Sequence, residues 1–521
     1  MSFVGTLYPF QEEAHDLMVD RGSAMVCMVM GAGKTPTTLS ALEALFDSDD
    51  ISRALIVVPA SLKYQWLSEI KRFCSDGNTS YKAVVIDGPP KGREALWRAA
   101  VSARYIIVNP ELLQRDMAYL GKVRVEAIVI DEATMIKSRT TKRSRFLKQL
   151  GKRAMYRFAL TGQPIENRPE ELFSIMEFVD PSVLGKFNLF DDTFIVRDHW
   201  GKPSRYRNLH ILKSSLSDVM IRKTREDIQD QLPTVINKVI PVSFDPAGAS
   251  AYQKITSDLL RKIHDAVSTG KMNRTFDLWK HYNDSEGSAV QGEIMSRLTV
   301  LRMLCDNPEL VRLSADLFAD KSTNQGSSYA RKVIDEGVLK ATSKSPKLDA
   351  VVEYVTDILT EDENNKIVIF SFFRRNLSLL EDALSNQTTC VKFMGGMTAS
   401  SRNDAKEQFR NDPNTRVFLS SDAGGYGVDL PMANHLISYD LPWSAGKLDQ
   451  REARIIRLSS EFPHVTITSF VMKGSIEERQ YAMLNEKRLI NKAFIDGGYN
   501  KQGQYEITMG SLSDFLTNAE V

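Results

Sequence analysis

Two series of short, apolar, β-branched-rich runs mark this chain, each run closing in a polar or glycine-containing turn. The first third holds "AMVCMVM", "RALIVVPA", "KAVVID", "YIIVNP", "EAIVIDEA" and "YRFALTG"; the last third holds "NKIVIFSFF", "CVKFMG", "RVFLSS", "HLISYD" and "VTITSFVM". Helix-length segments with apolar residues near helical spacing, such as "PTTLSALEALF" and "SLKYQWLSEIKRF", lie between them. Strands apolar on both faces that alternate with helices imply parallel sheets covered on both sides. Two series imply two such α/β units, and a length of 521 residues is long for a single core. In sheets of this kind ligands bind outside the carboxyl ends of the strands.

Between the series the pattern changes. "AYQKITSDLLRKIHDAV" and "GEIMSRLTVLRMLCDNPEL" read as amphipathic helices, whereas "KSTNQGSSYARKVIDEG" and "ATSKSPKL" read as loop or linker. The expected organisation is lobe one over 1–235, with a helical protrusion at about 181–225. A protrusion and linker of lobe two over 236–345, lobe two over 346–495 and a tail over 496–521 complete it.

Chemistry gathers at the ends of the apolar runs. "MVMGAGKT" carries Gly31, Gly33, Lys34 and Thr35 of a phosphate loop G-x-x-x-x-G-K-[ST], with Met28 where that pattern has its first glycine. The lysine follows a strand and a glycine turn and opens a helix. There, backbone N–H groups face an anion, the ammonium neutralises phosphate charge and the hydroxyl ligates magnesium. Pro36 suits the first helical turn, where its missing donor is not needed. Downstream, "EAIVIDEAT" ends a strand in Asp131 and Glu132, one acid to hold the metal and the next to position and deprotonate water. "ALTGQP" puts Thr161 and Gly162 at another strand end. In the second unit "SSDAGGYGVDL" is a glycine-rich turn, and "LDQREARIIR" spaces Gln450, Arg454 and Arg457 at i, i+4 and i+7, the spacing of one helical face. Cations there would serve a phosphate-transfer site across a cleft, a contribution of ~10³–10⁵ in rate.

The bulk numbers narrow the class. With 67 basic and 66 acidic residues the formal net charge is +1, so any nucleic-acid contact must come from local clusters such as "IKSRTTKRSR" and "GKPSRYRN". The cysteines Cys27, Cys74, Cys305 and Cys390 are far apart with no C-x-x-C pair, which argues against a disulfide framework and a zinc site. The run "AMVCMVM" falls well short of the ~20 residues of a spanning helix. The N-terminus lacks the basic and apolar regions of a secretory signal.

The chain resembles the superfamily 2 helicase-type ATPases, and within them the Swi/Snf-type DNA translocases. The matching segments run in family order over nearly the whole chain: "LYPFQEEA", "MGAGKT", "LIVVPASLKYQWLSEIKRF", "IVIDEATMIKS", "ALTGQPIENRPEELFSI", "VMIRKTREDIQDQLP", "LRMLCDNPEL", "MGGMTASSRNDAKEQF", "SSDAGGYGVDLPMANHLISYDLPW", "QREARIIR" and "KGSIEERQ". Those around Arg222 to Pro233 and Leu301 to Leu310 are similar to the Swi/Snf subset and are not expected of RNA helicases in general. Departures are Cys27, Met28 and Val29 before the glycines, Thr134 in place of the frequent histidine, Gln163 in place of threonine, Asp429 in place of asparagine, and "LSS" after the arginines. The absent glycine at Met28 fits the resemblance, since that family does not place one there.

The resemblance implies two tandem RecA-like parallel-sheet lobes with helical protrusions, and ATP with Mg²⁺ in the cleft between them. Gln11 would read adenine; Gly31, Ala32, Gly33, Lys34 and Thr35 would hold phosphates; Thr35 and Asp131 would hold the metal. Glu132 would be the general base, and Arg454 and Arg457 the arginines from lobe two, with Gly427, Asp429 and Gln450 lining the same cleft. Thr161 and Gly162 resemble the coupling motif between site and track. Candidate track contacts are Lys63, Asn109, Lys137, Arg139, Thr398, Ser420 and Trp443. The implied activity is ATP-driven translocation on double-stranded or branched DNA that remodels DNA structures or protein–DNA complexes. The competing readings are a strand-separating DNA or RNA helicase and an ATP-gated binding switch. A compact, monomeric, motor-only protein in a cytoplasmic, bacterial or viral setting is the accompanying expectation.

Overall fold

The computed structural model describes residues 3–74, 83–165, 169–197, 199, 203–269, 289–323, 325–422, 428–491 and 505–506. The first series of apolar runs becomes β1 (Ser23–Met28), β2 (Ala54–Val57), β3 (Ala83–Val85), β4 (Tyr105–Val108), β5 (Ala127–Asp131) and β6 (Tyr156–Thr161). A small antiparallel pair follows, β7 (Ile195–Arg197) and β8 (Pro203–Tyr206), before β9 (Met220–Lys223) joins the first sheet. That sheet has seven parallel strands in the order β3-β4-β2-β5-β6-β1-β9. Every residue of β1, β2, β4 and β5 is buried, as a sheet covered on both faces requires.

The second sheet is built from β10 (Thr234–Val242), β11 (Ile367–Ser371), β12 (Thr389–Phe393), β13 (Thr415–Ser421), β14 (His435–Ser438) and β15 (His464–Met472). It is parallel in the order β10-β15-β14-β11-β13-β12. The two α/β lobes expected from the sequence are therefore present. A short β16 (Tyr505–Glu506), the one described part of the tail expected over 496–521, pairs with β8.

Register positions the chemistry. Cys27 pairs with both Thr161 and Arg222, and Asp131 pairs with Leu160. The tips of β5, β6 and β1 therefore stand side by side, with Asp131, Thr161 and the glycine loop at one sheet edge. A contiguous buried cluster then joins the lobes behind that edge, running from Leu39 and Ala32 through Ile455 and Ile456 to Leu430 and Phe418.

Five elements depart from the sequence expectation. β7, β8, β9 and β10 fall in stretches read as helical, and the 235/236 boundary cuts β10, which belongs to the second sheet. β9 carries two charges in four residues, and β10 is an edge strand exposing Ile236 and Val239, so neither shows a continuous apolar run. The segment "KSTNQGSSYARKVIDEG" contains a helix, Ser328–Asp335, capped by the Ser327 hydroxyl, which accepts from the Ala330 amide. Its polar composition hid an apolar face of Tyr329, Ala330 and Val333. Among the described residues no helix is long and apolar enough to cross a membrane.

Candidate functional site

Met28 ends β1 fully buried, so the position that the phosphate-loop pattern gives to glycine is here the last strand residue. The loop then turns through Gly31 (φ +84°) and Gly33 (φ +77°), both in the left-handed region that favours glycine. A Cβ at Gly31 would stand 2.6 Å from the Ile456 carbonyl of lobe two, and one at Gly33 would stand 2.3 Å from Gln11 Nε2. These glycines thus admit the opposite lobe and the Gln11 amide. Gly33 caps the helix Lys34–Asp47, so Lys34 and Thr35 open it as expected. The Lys34 ammonium donates to the carbonyls of Met28 at 3.0 Å and Val29 at 3.4 Å. Burial depresses its pKa below the usual lysine value, against the opposing pull of Glu132 and Asp131. Gln11 is buried and spends its amide locally, donating to the carbonyl of the buried Ala32 at 2.9 Å and accepting from the Tyr8 amide at 3.0 Å.

Asp131 and Glu132 follow β5. Asp131 Oδ2 accepts the Trp66 indole N–H at 2.8 Å, and Oδ1 accepts the Glu132 amide at 2.8 Å. Burial raises the Asp131 pKa, while the indole hydrogen bond and the Lys34 charge work the other way. Glu132 has φ +52°, a left-handed backbone uncommon for a side chain of its size. Trp66 is a site residue that sequence reasoning passed over, because a tryptophan in an amphipathic helix reads as core. A signal existed: Leu62, Trp66, Glu69 and Phe73 recur at helical spacing, and all four line the cleft.

Lobe two supplies the far wall. Gln450 Nε2 lies 3.4 Å from Glu132 Oε2, a hydrogen bond across the cleft. Arg457 pairs with Asp429 at 2.5 Å, and its charge acts on Lys34. The buried Arg457 Nε has no hydrogen-bond partner among the described residues. Arg454 is buried, with Nη1 3.4 Å from the Val428 carbonyl. The expected single helical face is corrected here: the helix Ala445–Glu452 stops before both arginines. Turns continue the path, with the Arg454 amide on the Arg451 carbonyl and the Ile456 amide on that of Glu452. Gly427 lies outside the described residues. The resulting cleft of about 340 Å³ is lined by Gln11, Lys34, Thr35, Asp131, Glu132, Asp429, Arg454 and Arg457.

Thr161 and Gly162 sit one strand over. The Thr161 hydroxyl donates to the Gln163 carbonyl at 3.0 Å, and Arg222 Nη1 donates to the Gly162 carbonyl at 3.1 Å.

The seven expected track contacts are not gathered on one open surface. Lys63 is buried, donating to the Ile86 carbonyl and paired with Asp87 at 2.9 Å. Asn109 is buried and donates to Glu111, and Ser420 is buried with its hydroxyl on the Ser421 carbonyl. Trp443 is buried under the Arg302 guanidinium, 5.1 Å from its ring. The side chains of these four are packed inside the lobes rather than presented on an open face. Arg139 is half-exposed, paired with Glu177 and stacked 4.1 Å over Phe187. Lys137 lies 3.9 Å from Glu171, and Thr398 is an exposed helix cap accepting from the Ser401 amide.

Two parallel-sheet lobes, with a glycine–lysine loop and acidic strand tip on one and arginines on the other, define the helicase-type ATPases. Residues 10–310 match the SNF2-related domain and residues 347–459 the helicase conserved C-terminal domain. The chain belongs to the SNF2-related family and is an ATP-dependent, helicase-like motor. It is 26% identical to YqhH of Bacillus subtilis (strain 168), described as an uncharacterized ATP-dependent helicase, across 99% of this chain and 82% of that protein. It is also 26% identical to the human DNA annealing helicase and endonuclease ZRANB3, across 99% of this chain but only 42% of that longer protein. Among solved structures it is similar to the Sulfolobus solfataricus SWI2/SNF2 ATPase core in complex with dsDNA, at 24% identity and a TM-score of 0.42. That likeness covers 95% of this chain and 94% of that one.

Proposed function

We propose that this protein is an ATP-dependent double-stranded DNA translocase that remodels DNA structures or protein–DNA complexes. The observation that carries this reading is the cross-cleft contact. Gln450 of lobe two reaches Glu132 of lobe one, and Arg457 lines the same cavity as Lys34. A site shared between two bodies makes hydrolysis depend on their closure, which is what a stepping motor requires. The family membership and the likeness to ZRANB3, a DNA annealing helicase and endonuclease, support the choice of track.

In this reading Lys34 exchanges the Met28 and Val29 carbonyls for β- and γ-phosphate oxygens, and Arg457 exchanges Asp429 for the γ-phosphate. Arg454 flanks it, and Gln11 presents its amide to the adenine. The Glu132 carboxylate accepts a proton from the attacking water as that water's oxygen bonds the γ-phosphorus and ADP leaves. Thr161 and Gly162, tied to β9 through Arg222, carry the change of state away from the site.

A magnesium ion fits this donor set: a hydroxyl from Thr35 and a buried carboxylate from Asp131 are hard oxygen ligands beside phosphates. Thr35 and Asp131 would hold it, and when bound it supplies charge neutralisation at the phosphate oxygens. The track is duplex DNA gripped through phosphates, and Lys137, Arg139 and Thr398 are the expected contacts that reach the surface.

The test is the ATPase rate of the full chain on single-stranded DNA, duplex, fork, four-way junction and RNA. Stimulation by duplex or branched DNA, without strand displacement on forked substrates, is the expected result. Stimulation by RNA or single strands alone would sink the reading, and efficient displacement would make the protein a strand-separating helicase instead.

A further inference from the structure

Trp66 is 1% exposed, and the one hydrogen its ring can donate goes to a carboxylate 65 residues away, Asp131. The opposite oxygen of that carboxylate takes the Glu132 amide. Asp131 is thus held at both oxygens by donors fixed in orientation, one on a helix and one on a strained turn, and each oxygen keeps a further lone pair. The helix that carries Trp66, Lys63–Phe73, is itself pinned. Lys63 at its start binds the Ile86 carbonyl and Asp87, and its cleft-facing side brings Glu69 and Arg72 to the same cavity. A tryptophan serving only as packing needs any acceptor for its N–H. This one uses the carboxylate that faces Lys34 and the phosphate loop.

We propose that Trp66 is a positioning residue that fixes the Asp131 carboxylate in the orientation that takes a divalent cation, so that it sets metal affinity rather than the chemical step. The inference rests on Asp131 being the cation-holding carboxylate. Partners of this outer kind change metal affinity by ~10–100-fold when removed.

The test is Mn²⁺ binding, followed by electron paramagnetic resonance, to the full chain saturated with ADP. Three variants are compared with the unmodified protein: Trp66→Phe, Asp131→Asn, and Trp66 replaced by 3-benzothienylalanine, which keeps the bicyclic shape and deletes only the N–H. Both Trp66 changes should weaken Mn²⁺ binding ~10–100-fold. The Mg²⁺ concentration for half-maximal turnover should rise by the same factor, with kcat at saturating Mg²⁺ within ~3-fold of the unmodified protein. Should Trp66→Phe fail to fold, the benzothienyl isostere carries the comparison. Unchanged Mn²⁺ affinity in the isostere, with loss in Asp131→Asn, would make Trp66 a packing residue and overturn the inference. Unchanged affinity in Asp131→Asn would instead overturn the reading of Asp131.

Discussion

Two clusters in this molecule have the same composition, one lysine and two carboxylates, and opposite characters. In lobe two, Lys347 is fully buried and donates to Asp306 at 2.8 Å and Glu477 at 2.6 Å. Those carboxylates hold its pKa well above the usual lysine value despite burial. The surroundings complete the network: Asn376 donates to Asp306, and the Met472 amide donates to Glu477. In lobe one, Lys34 donates to the backbone carbonyls of Met28 and Val29, while Asp131 is turned to Trp66 and Glu132 toward Gln450. Burial there pushes the lysine pKa down. The difference teaches how one set of groups serves structure or chemistry. The lobe-two cluster pairs its lysine with both carboxylates; in the cleft the lysine rests on backbone carbonyls, partners that phosphate oxygens would replace in the proposed function.

The largest expected effect is at Lys34. Lys34→Met should remove measurable ATP binding in equilibrium titration, and turnover with it. Because its hydrogen bonds go to two carbonyls, stability without nucleotide should move by less than ~1 kcal/mol in urea unfolding. Next comes Glu132→Gln, which should retain ATP and lower single-turnover hydrolysis by ~10²–10⁴-fold. Lys347→Met reverses the pattern. It strands two buried carboxylates and should lower urea-unfolding stability by ~3–5 kcal/mol, with the folded fraction binding ATP normally. If Lys347→Met spared stability and abolished ATP binding, the contrast between the clusters would be wrong. The smallest effect is at His435, the first residue of β14, whose pKa is pushed down to about 4 by burial and by the Lys238 charge. Between pH ~6.5 and about 4 the unfolded chain takes up a proton that the folded imidazole refuses. Stability should therefore fall as pH drops through that window and level off below it. His435→Gln should flatten that part of the urea-midpoint profile and leave the Lys347 cluster untouched.

Much of this was legible in the sequence wherever one local pattern decides the outcome. Continuous apolar runs such as "EAIVIDEA" and "NKIVIFSFF" have no alternative to a doubly covered strand, and they became β5 and β11. The glycine–lysine loop and the Asp131–Glu132 pair declare themselves because their residue types have no packing role at a strand tip. Elements defined by their neighbours were hidden. β10 is a strand because β15 offers it an edge, and the Ser328–Asp335 helix shows its apolar face only once packed. The arginine spacing suggested a continued helix, yet the chain leaves it at Glu452, and Arg454 and Arg457 reach the cleft through turns. For Trp66, helical spacing could mark the face it shares with Leu62, Glu69 and Phe73 but not its partner: the acceptor is 65 residues distant, and nothing local separates an indole that orients a carboxylate from one that fills a core. The track residues Lys63, Asn109, Ser420 and Trp443 were placed by resemblance, which carries position along the chain but not exposure.

The central claim is that one catalytic site is divided between two lobes. Its most direct measurement is ATP hydrolysis by Arg457→Ala at saturating ATP and duplex DNA, alongside ATP affinity of the same variant. A fall in kcat of ~10³-fold or more, with ATP affinity within a few-fold of the unmodified protein, is the predicted result. Unchanged turnover in Arg457→Ala would contradict it, since lobe one would then be hydrolysing ATP alone.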